Sequence, residues 1–155
     1  MQDVEKGPTT PAGSESFERR EVRAVSQGGT RRIDLRRDGH RWILDEPLDA
    51  GGSDLGPSPV NALLGALMAC MIMTYQITGQ RRNVPIARIE GRATANAARY
   101  VEAITLELDI WSPAPAEQVE ALLDRVKRGC YVSHTLKAEI AYQVVLRVHP
   151  AEPAA

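Results

Sequence analysis

Only two cysteines occur in 155 residues, Cys70 and Cys130, and lysine is almost absent. The net charge is −1, which excludes the overall basic field that draws a chain to nucleic acid or to an anionic membrane. The opening "MQDVEKGPTTPAGSESFE" lacks the apolar core of a secretory signal, so a cytoplasmic location is expected. In that compartment two cysteines read as working thiols or inert core residues rather than as a structural disulfide. A clean membrane span is also lacking. The longest apolar run, Val60 to Ile77, has fourteen apolar residues in eighteen positions but is interrupted by Asn61, Gly65, Thr74 and Gln76. A span needs about 20 predominantly apolar residues, so a fully buried central helix is expected there. No membrane partner is expected.

What the chain does have is the make-up of one globular domain, 43% apolar and 25% charged. A disordered leader is expected over 1–16, the domain over 17–149, and a frayed tail over 150–155. Half of the sixteen arginines fall between Arg19 and Arg41, interleaved with Glu18, Glu21, Asp34 and Asp38. That pattern reads as a solvated strand face rather than a nucleic-acid patch.

Three short strands come first: "FERREVRAVS", ending at Gly28-Gly29; "TRRIDLRR", ending at the hairpin dipeptide Asp38-Gly39; and "HRWIL". Val22, Ile33, Leu35, Trp42 and Leu44 mark one face. "DEPLDAGGSDLGPSP" is too rich in Gly, Pro and Asp for regular structure. Ser58 then suits a helix cap and Pro59 the first helical position. The helix is predicted to run to about Thr78 and stop at Gly79. "IARIEGRATANA" and "VEAITLELDIW" form a second hairpin, and Ile104, Leu106, Leu108 and Ile110 alternate onto one face. "SPAPAEQVEALLDRVKRG" reads as one amphipathic helix with Val119, Leu122, Leu123 and Val126 inward. A short turn or helix, "CYVSHTL", leads to the last strand, "KAEIAYQVVLRV". The order is β-β-β-α-β-β-α-β, an α+β fold with a largely antiparallel sheet around a central apolar helix. One sheet covers only one side of such a helix, so a second helix or a second copy of the chain must cover the other.

Cys70 ends the run "GPSPVNALLGALMAC". A thiol reacts as thiolate, and apolar burial raises its pKa above about 8.5. Cys70 lies roughly three turns into its helix, where the macrodipole has faded. A reactive Cys70 therefore requires a cation from elsewhere, and the arginine-rich first strands are the obvious supplier. Cys130 follows a helix end, and Ser133 and His134 lie just beyond it, where the local backbone could present donors. A Cys–Cys redox pair and a pair of inert core thiols both fit this spacing. Other chemistries rank lower. Met68, Cys70, Met71 and Met73 read as core filler more than as Cu(I) ligands. Cys70, Cys130 and His134 lack a paired metal-binding anchor, and His134 is too close to Cys130 for a hydrolase triad. His40 and His149 read as solvated. Asp45 and Glu46 read as partners of loop amides or arginines rather than of calcium. No metal site and no cofactor are expected.

"DEP" followed by "GGSDLGPSP" and "ALLGALMAC", together with "CYVSHTL", resembles the OsmC/Ohr family over about Phe17 to Val148. The resemblance implies an intertwined homodimer with two central helices and active sites at the dimer interface. It implies a thiol-dependent peroxidase for organic hydroperoxides, with Cys70 oxidised to a sulfenic acid and Cys130 resolving it as a disulfide. A dithiol or lipoyl-type reductant would restore both thiols. It also implies a catalytic arginine near the double glycine of the first hairpin, with Arg31 or Arg32 the candidates and Arg31 the one carried forward. Two departures stand out. Val60, beside Asn61, occupies the place of a glutamate that partners the arginine in the hydroperoxide branch, and Tyr131 replaces the usual proline after the second cysteine. The departures leave open a non-catalytic, ligand-binding or redox-sensing role on the same scaffold.

Overall fold

The structure is a computed structural model and describes residues 19–151; the expected leader over 1–16 lies outside them. The first three strands, β1 (Arg23–Ser26), β2 (Ile33–Arg37) and β3 (His40–Leu44), form an antiparallel sheet in the order β1-β2-β3. Ile33 pairs with Leu44, and Leu35 with Trp42, so these four share one face as expected, while Val22 lies just before β1. Asp38 adopts φ 51° in the connecting turn, as an Asp-Gly hairpin requires. Acids answer several arginines of this region, with Arg23 on Glu21, Arg32 on Asp34 and Arg37 on Asp38.

Residues 45–57 close a loop around one side chain. The Asp45 carboxylate is buried and accepts the amides of Glu46 at 2.8 Å, Ser53 at 3.1 Å and Leu55 at 3.3 Å. Burial raises its pKa and those amides more than offset this, leaving it below the usual carboxylate range. The loop delivers Ser58, whose hydroxyl accepts the Asn61 amide at 3.4 Å and opens α1 (Pro59–Arg82) with Pro59 at its first position.

Helix α1 outruns its predicted end. Gly79 is an interior residue, and Asn83 at φ 55° closes the helix, with the Val84 amide bonded to the Gly79 carbonyl at 2.9 Å. The glycine serves packing instead: a Cβ on Gly79 would come 2.8 Å from the Val84 carbonyl oxygen and 3.0 Å from Ile86 Cγ1. Nor is α1 fully buried. Leu67, Met68, Met71, Tyr75 and Gly79 form one buried stripe, while Val60, Leu63, Met73 and Ile77 are exposed. By length and composition α1 could cross a membrane, but its buried stripe makes it a core helix whose outer side the other described residues leave exposed.

The second sheet holds β4 (Arg88–Ala97), β5 (Val101–Ser112) and β6 (Ala141–Pro150) in the order β4-β5-β6. Ile104, Leu106, Leu108 and Ile110 of β5 are buried as their alternation requires. The expectation of a largely antiparallel fold holds, since three of the four strand pairings are antiparallel, with two differences: the described residues form two three-stranded sheets rather than one, and β6 runs parallel to β5. The segment between them is long enough to cross over the sheet and re-enter in the same direction. The stretch expected as one amphipathic helix is two, α2 (Ala116–Glu120) and α3 (Leu123–Gly129), and the short turn or helix expected after it is α4 (Tyr131–His134). The break has a cause. The Tyr75 hydroxyl donates to the Val119 carbonyl at 2.6 Å and the Leu122 amide bonds the same oxygen at 3.2 Å, a tight turn that displaces the i+4 bond. Val119, Leu122 and Val126 still point inward.

His149 is corrected as well. It is a β6 residue, stacked on Trp111 at 4.8 Å and bonded through Nε2 to Asp109 at 2.8 Å. His40, in β3, is exposed.

Candidate active site

Two elements bring the cysteines together. Cys70 sits midway along α1, and Cys130 is the residue on which α3 ends and α4 begins, at φ −81° and ψ 100°. Gly129 makes the approach of α3 to α1 possible, since a Cβ there would come 3.1 Å from Thr74 Cγ2. Cys130 is buried and Cys70 partly exposed, and both thiols are free. The Ser133 hydroxyl donates to the Cys130 carbonyl at 2.9 Å, and the Thr74 hydroxyl to the Cys70 carbonyl at 2.7 Å.

The two sulfurs differ electrostatically. Burial pushes Cys70 up, but the Val132 amide, the Cys130 thiol, the Thr74 hydroxyl and the Tyr131 amide together outweigh it, so Cys70 lies below the ordinary thiol value. Burial pushes Cys130 up. Ser133 pulls it down through its hydroxyl and its amide, and the Cys70 sulfur pushes it up again, leaving it above the ordinary value. The pair is therefore asymmetric, with Cys70 the readier of the two to ionise and Cys130 the thiol that donates to it. Among the described residues the groups chiefly responsible are amides and hydroxyls, and no guanidinium stands among them. The turn after Gly129 does present backbone donors, but those of residues 131 and 132 act on Cys70 of the neighbouring helix, a target its own sequence did not indicate.

Arg31 is elsewhere. Its guanidinium lies over Gly51, where a Cβ would come 3.3 Å from Nε, and Gly51 holds φ 78°. Arg31 has no carboxylate partner among the described residues, whereas Arg32 is bidentate on Asp34 at 2.7 and 3.1 Å. The chain thus joins Cys70 to Cys130 and leaves Arg31 on the loop of residues 45–57. Val60 stands in the first turn of α1 and brings no carboxylate.

Tyr142 of β6 was not anticipated. Its hydroxyl is buried with no hydrogen-bond partner among the described residues. Burial raises its pKa, as does negative charge on Cys130 and Cys70. His134 turns away from the sulfurs and bonds the Arg128 carbonyl through Nε2 at 3.0 Å. Among the described residues no group of three or more His, Cys, Asp or Glu side chains is gathered as a metal site would need. Cys70 opens onto a groove of about 690 Å³ between α1, α3 and Tyr131.

Comparison with known proteins bears on the fold and the family. No curated protein sequence matches the chain. An OsmC-like protein from Mycoplasma pneumoniae superposes with a TM-score of 0.75 at 19% identity, covering 88% of this chain and 100% of that one. An organic hydroperoxide resistance protein OsmC from Legionella pneumophila gives 0.66 at 13%, over 86% of this chain and 100% of that one. The organic hydroperoxide resistance protein OhrB of Bacillus subtilis gives 0.61 at 17%, over 82% and 96%. At such identities the likeness establishes the α+β fold alone. The sequence profile of the OsmC-like protein family matches residues 51–145, more than half of the chain and both cysteine segments, and the chain belongs to that family.

Proposed function

We propose that the protein is a thiol-dependent peroxidase that reduces organic hydroperoxides in the cytoplasm. The observation that carries this reading is the contact between a Cys70 thiol held below its ordinary value and a buried Cys130 thiol held above it. In the cycle, the Cys70 thiolate attacks the outer peroxide oxygen. The O–O bond breaks, the alcohol leaves with a proton, and Cys70 becomes a sulfenic acid. The Cys130 sulfur then displaces hydroxide, which leaves as water with the Cys130 proton, and a Cys70–Cys130 disulfide forms. A dithiol, such as a lipoyl-type reductant, returns two electrons and two protons to restore both thiols. Support comes also from the family and from solved relatives named as hydroperoxide resistance proteins.

The exposed apolar stripe of α1 fits a homodimer, and a second copy laid over it would carry its own arginine-rich hairpin toward this site. On this reading Arg31 orients the peroxide across that interface. The test is thiol counting. One equivalent of cumene hydroperoxide should remove both free thiols of the reduced protein, and Cys70→Ser should abolish peroxide consumption. Two thiols surviving mild excess peroxide would end the proposal. Val60, with no carboxylate to hold Arg31, favours a second reading, a ligand-binding or redox-sensing dimer. Slow reaction with every peroxide, with a ligand retained through purification, would select it.

A further inference from the structure

Tyr142 is a buried polar group that the proposed cycle does not use. It pairs with Ile104, and Val144, Leu146 and Val148 beyond it pair with Leu106, Leu108 and Ile110. All four partners on β5 are buried, so the Tyr142 side chain stands on the core face of the sheet. Cys130 is a member of that core, and both Cys70 and Tyr142 pack against it. The Tyr142 hydroxyl is buried and bonds nothing among the described residues. A buried polar group nearly always has a partner, and no other buried side-chain oxygen or nitrogen of the described residues is left without one. Tyr75 shows the usual arrangement, donating to the Val119 carbonyl at 2.6 Å. A phenylalanine at 142 would fill the same space without burying an unpaired oxygen. The hydroxyl calls for an acceptor that arises in another state of the protein.

The sulfur pair supplies that acceptor. Polar groups act on Cys130 from the elements around it: Ser133 on α4 and Cys70 on α1. Charge on Cys130, and then on Cys70, acts in turn on Tyr142 of β6. While Cys130 is a thiol its sulfur is a weak acceptor. The resolving step changes this. Cys130 must shed its proton to attack the Cys70 sulfenic acid, and burial opposes the charge that builds on its sulfur. A donor held ready for that charge stabilises the transition state more than the resting thiol. Burial, followed by charge on Cys130 and Cys70, holds Tyr142 well above its ordinary value, so it keeps its own proton and donates.

We propose that Tyr142 serves the resolving step, its hydroxyl donating a hydrogen bond to the Cys130 sulfur as that sulfur loses its proton and displaces hydroxide from the Cys70 sulfenic acid. The inference rests on the proposed peroxidase reading and adds to it a residue for the second half of the cycle. The S–O bond of the sulfenic acid breaks and the S–S bond forms. The Cys130 proton leaves with the hydroxide as water, and the Tyr142 proton stays on its oxygen.

The test is Tyr142→Phe, which keeps the ring and removes the donor. In single turnovers with cumene hydroperoxide, sulfenic acid trapped by dimedone should form at nearly the wild-type rate. Its conversion to the disulfide should slow by about tenfold, the effect of losing a hydrogen bond to a charged group. The pH profile of that conversion should move up by about one unit, which a loss of packing alone would not cause. In a Cys70→Ser background, where Cys130 titrates alone, Tyr142→Phe should raise the thiolate midpoint of Cys130 by about one unit. Replacing Tyr142 by 3-fluorotyrosine, a stronger donor, should shift both measurements the other way. Conversion at the wild-type rate, or conversion that slows with its pH profile and the Cys130 midpoint unmoved, overturns the inference and leaves the peroxidase intact. If the wild type does not consume cumene hydroperoxide, the peroxidase reading fails. The Cys130 titration needs no peroxide and still decides whether Tyr142 donates to that sulfur: an unmoved midpoint overturns the bond.

Discussion

Tyr142→Phe should make the reduced protein more stable. The Tyr142 hydroxyl is buried without a partner among the described residues, and a buried unpaired hydroxyl costs about 1–3 kcal/mol on protein-based scales. Phenylalanine keeps the ring, and with it the packing of β6 against the core, and removes only the oxygen. The lower end of that range applies, because the hydroxyl is free to rotate toward the sulfurs. The expected gain is therefore about 1 kcal/mol, or roughly 3 °C in Tm for a chain of this size. Urea unfolding at about pH 5, where thiols are protonated, should show a higher midpoint with an unchanged slope. The gain should shrink as pH rises through the Cys70 titration. A thiolate is a strong acceptor, and charge on Cys130 and Cys70 acts on the Tyr142 hydroxyl. A variant that is less stable than wild type at about pH 5 refutes the reasoning, because the hydroxyl must then have a partner, on this chain or on a second copy.

The ultraviolet absorbance of thiolate should titrate first at Cys70, with a midpoint below the ordinary thiol value of about 8.5. Cys70→Ser should leave only a later transition from Cys130. The stability linked to Cys70 is present above the unfolded thiol value and is lost as pH falls through the lowered one. That linked to Cys130 is present below the unfolded value and is lost as pH rises through the raised one. A single late transition in the wild type would contradict the assigned order. Gly79→Ala should destabilise by about 1–2 kcal/mol, because overpacking against the Val84 carbonyl outweighs the gain in helix propensity; thermal melting checks the sign. Asp45→Ala should open residues 46–57 to limited proteolysis. In the wild type the same sensitivity should appear as pH falls below about 4, since the lowered Asp45 carboxylate supports folding only while it is ionised.

Much of this fold was legible wherever local chemistry decides structure. Asp38-Gly39 sets a hairpin, Ser58-Pro59 starts a helix, and the alternation from Ile104 to Ile110 defines the buried face of β5. What was not legible depended on distant partners. The direction of β6 follows from a crossover whose path is set by packing, and the break between α2 and α3 exists because Tyr75, more than forty residues away in sequence, takes the Val119 carbonyl. Gly79 looked like a stop because its steric neighbours, Val84 and Ile86, come from the returning chain. The site divided in the same way. Cys130 at a helix boundary was readable, but the amides of Tyr131 and Val132 lower Cys70 through contact between helices. The expectation of a cation came from considering the helix of Cys70 alone.

Most of the exposed apolar side chains lie on three elements that follow one another along the chain. Val25 and Trp42 lie on the first sheet, Leu48 and Leu55 on the Asp45 loop, and Val60, Leu63, Met73 and Ile77 on the outer side of α1. Those elements also carry Arg31 and Cys70. A single chain completes the sulfur pair, because Cys130 and the amides after it come from the crossover packed on α1. It does not complete the cationic half of the proposed site, because Arg31 is held on Gly51 by a loop anchored at Asp45. Burying the exposed stripe against a second copy is favourable at about 25 cal/mol per Å² of apolar surface. The same burial would bring an arginine-bearing sheet to a helix bearing the thiolate. On the proposed function, assembly and catalysis therefore draw on one surface: the apolar contacts that stabilise a dimer also determine whether the guanidinium meets the sulfur.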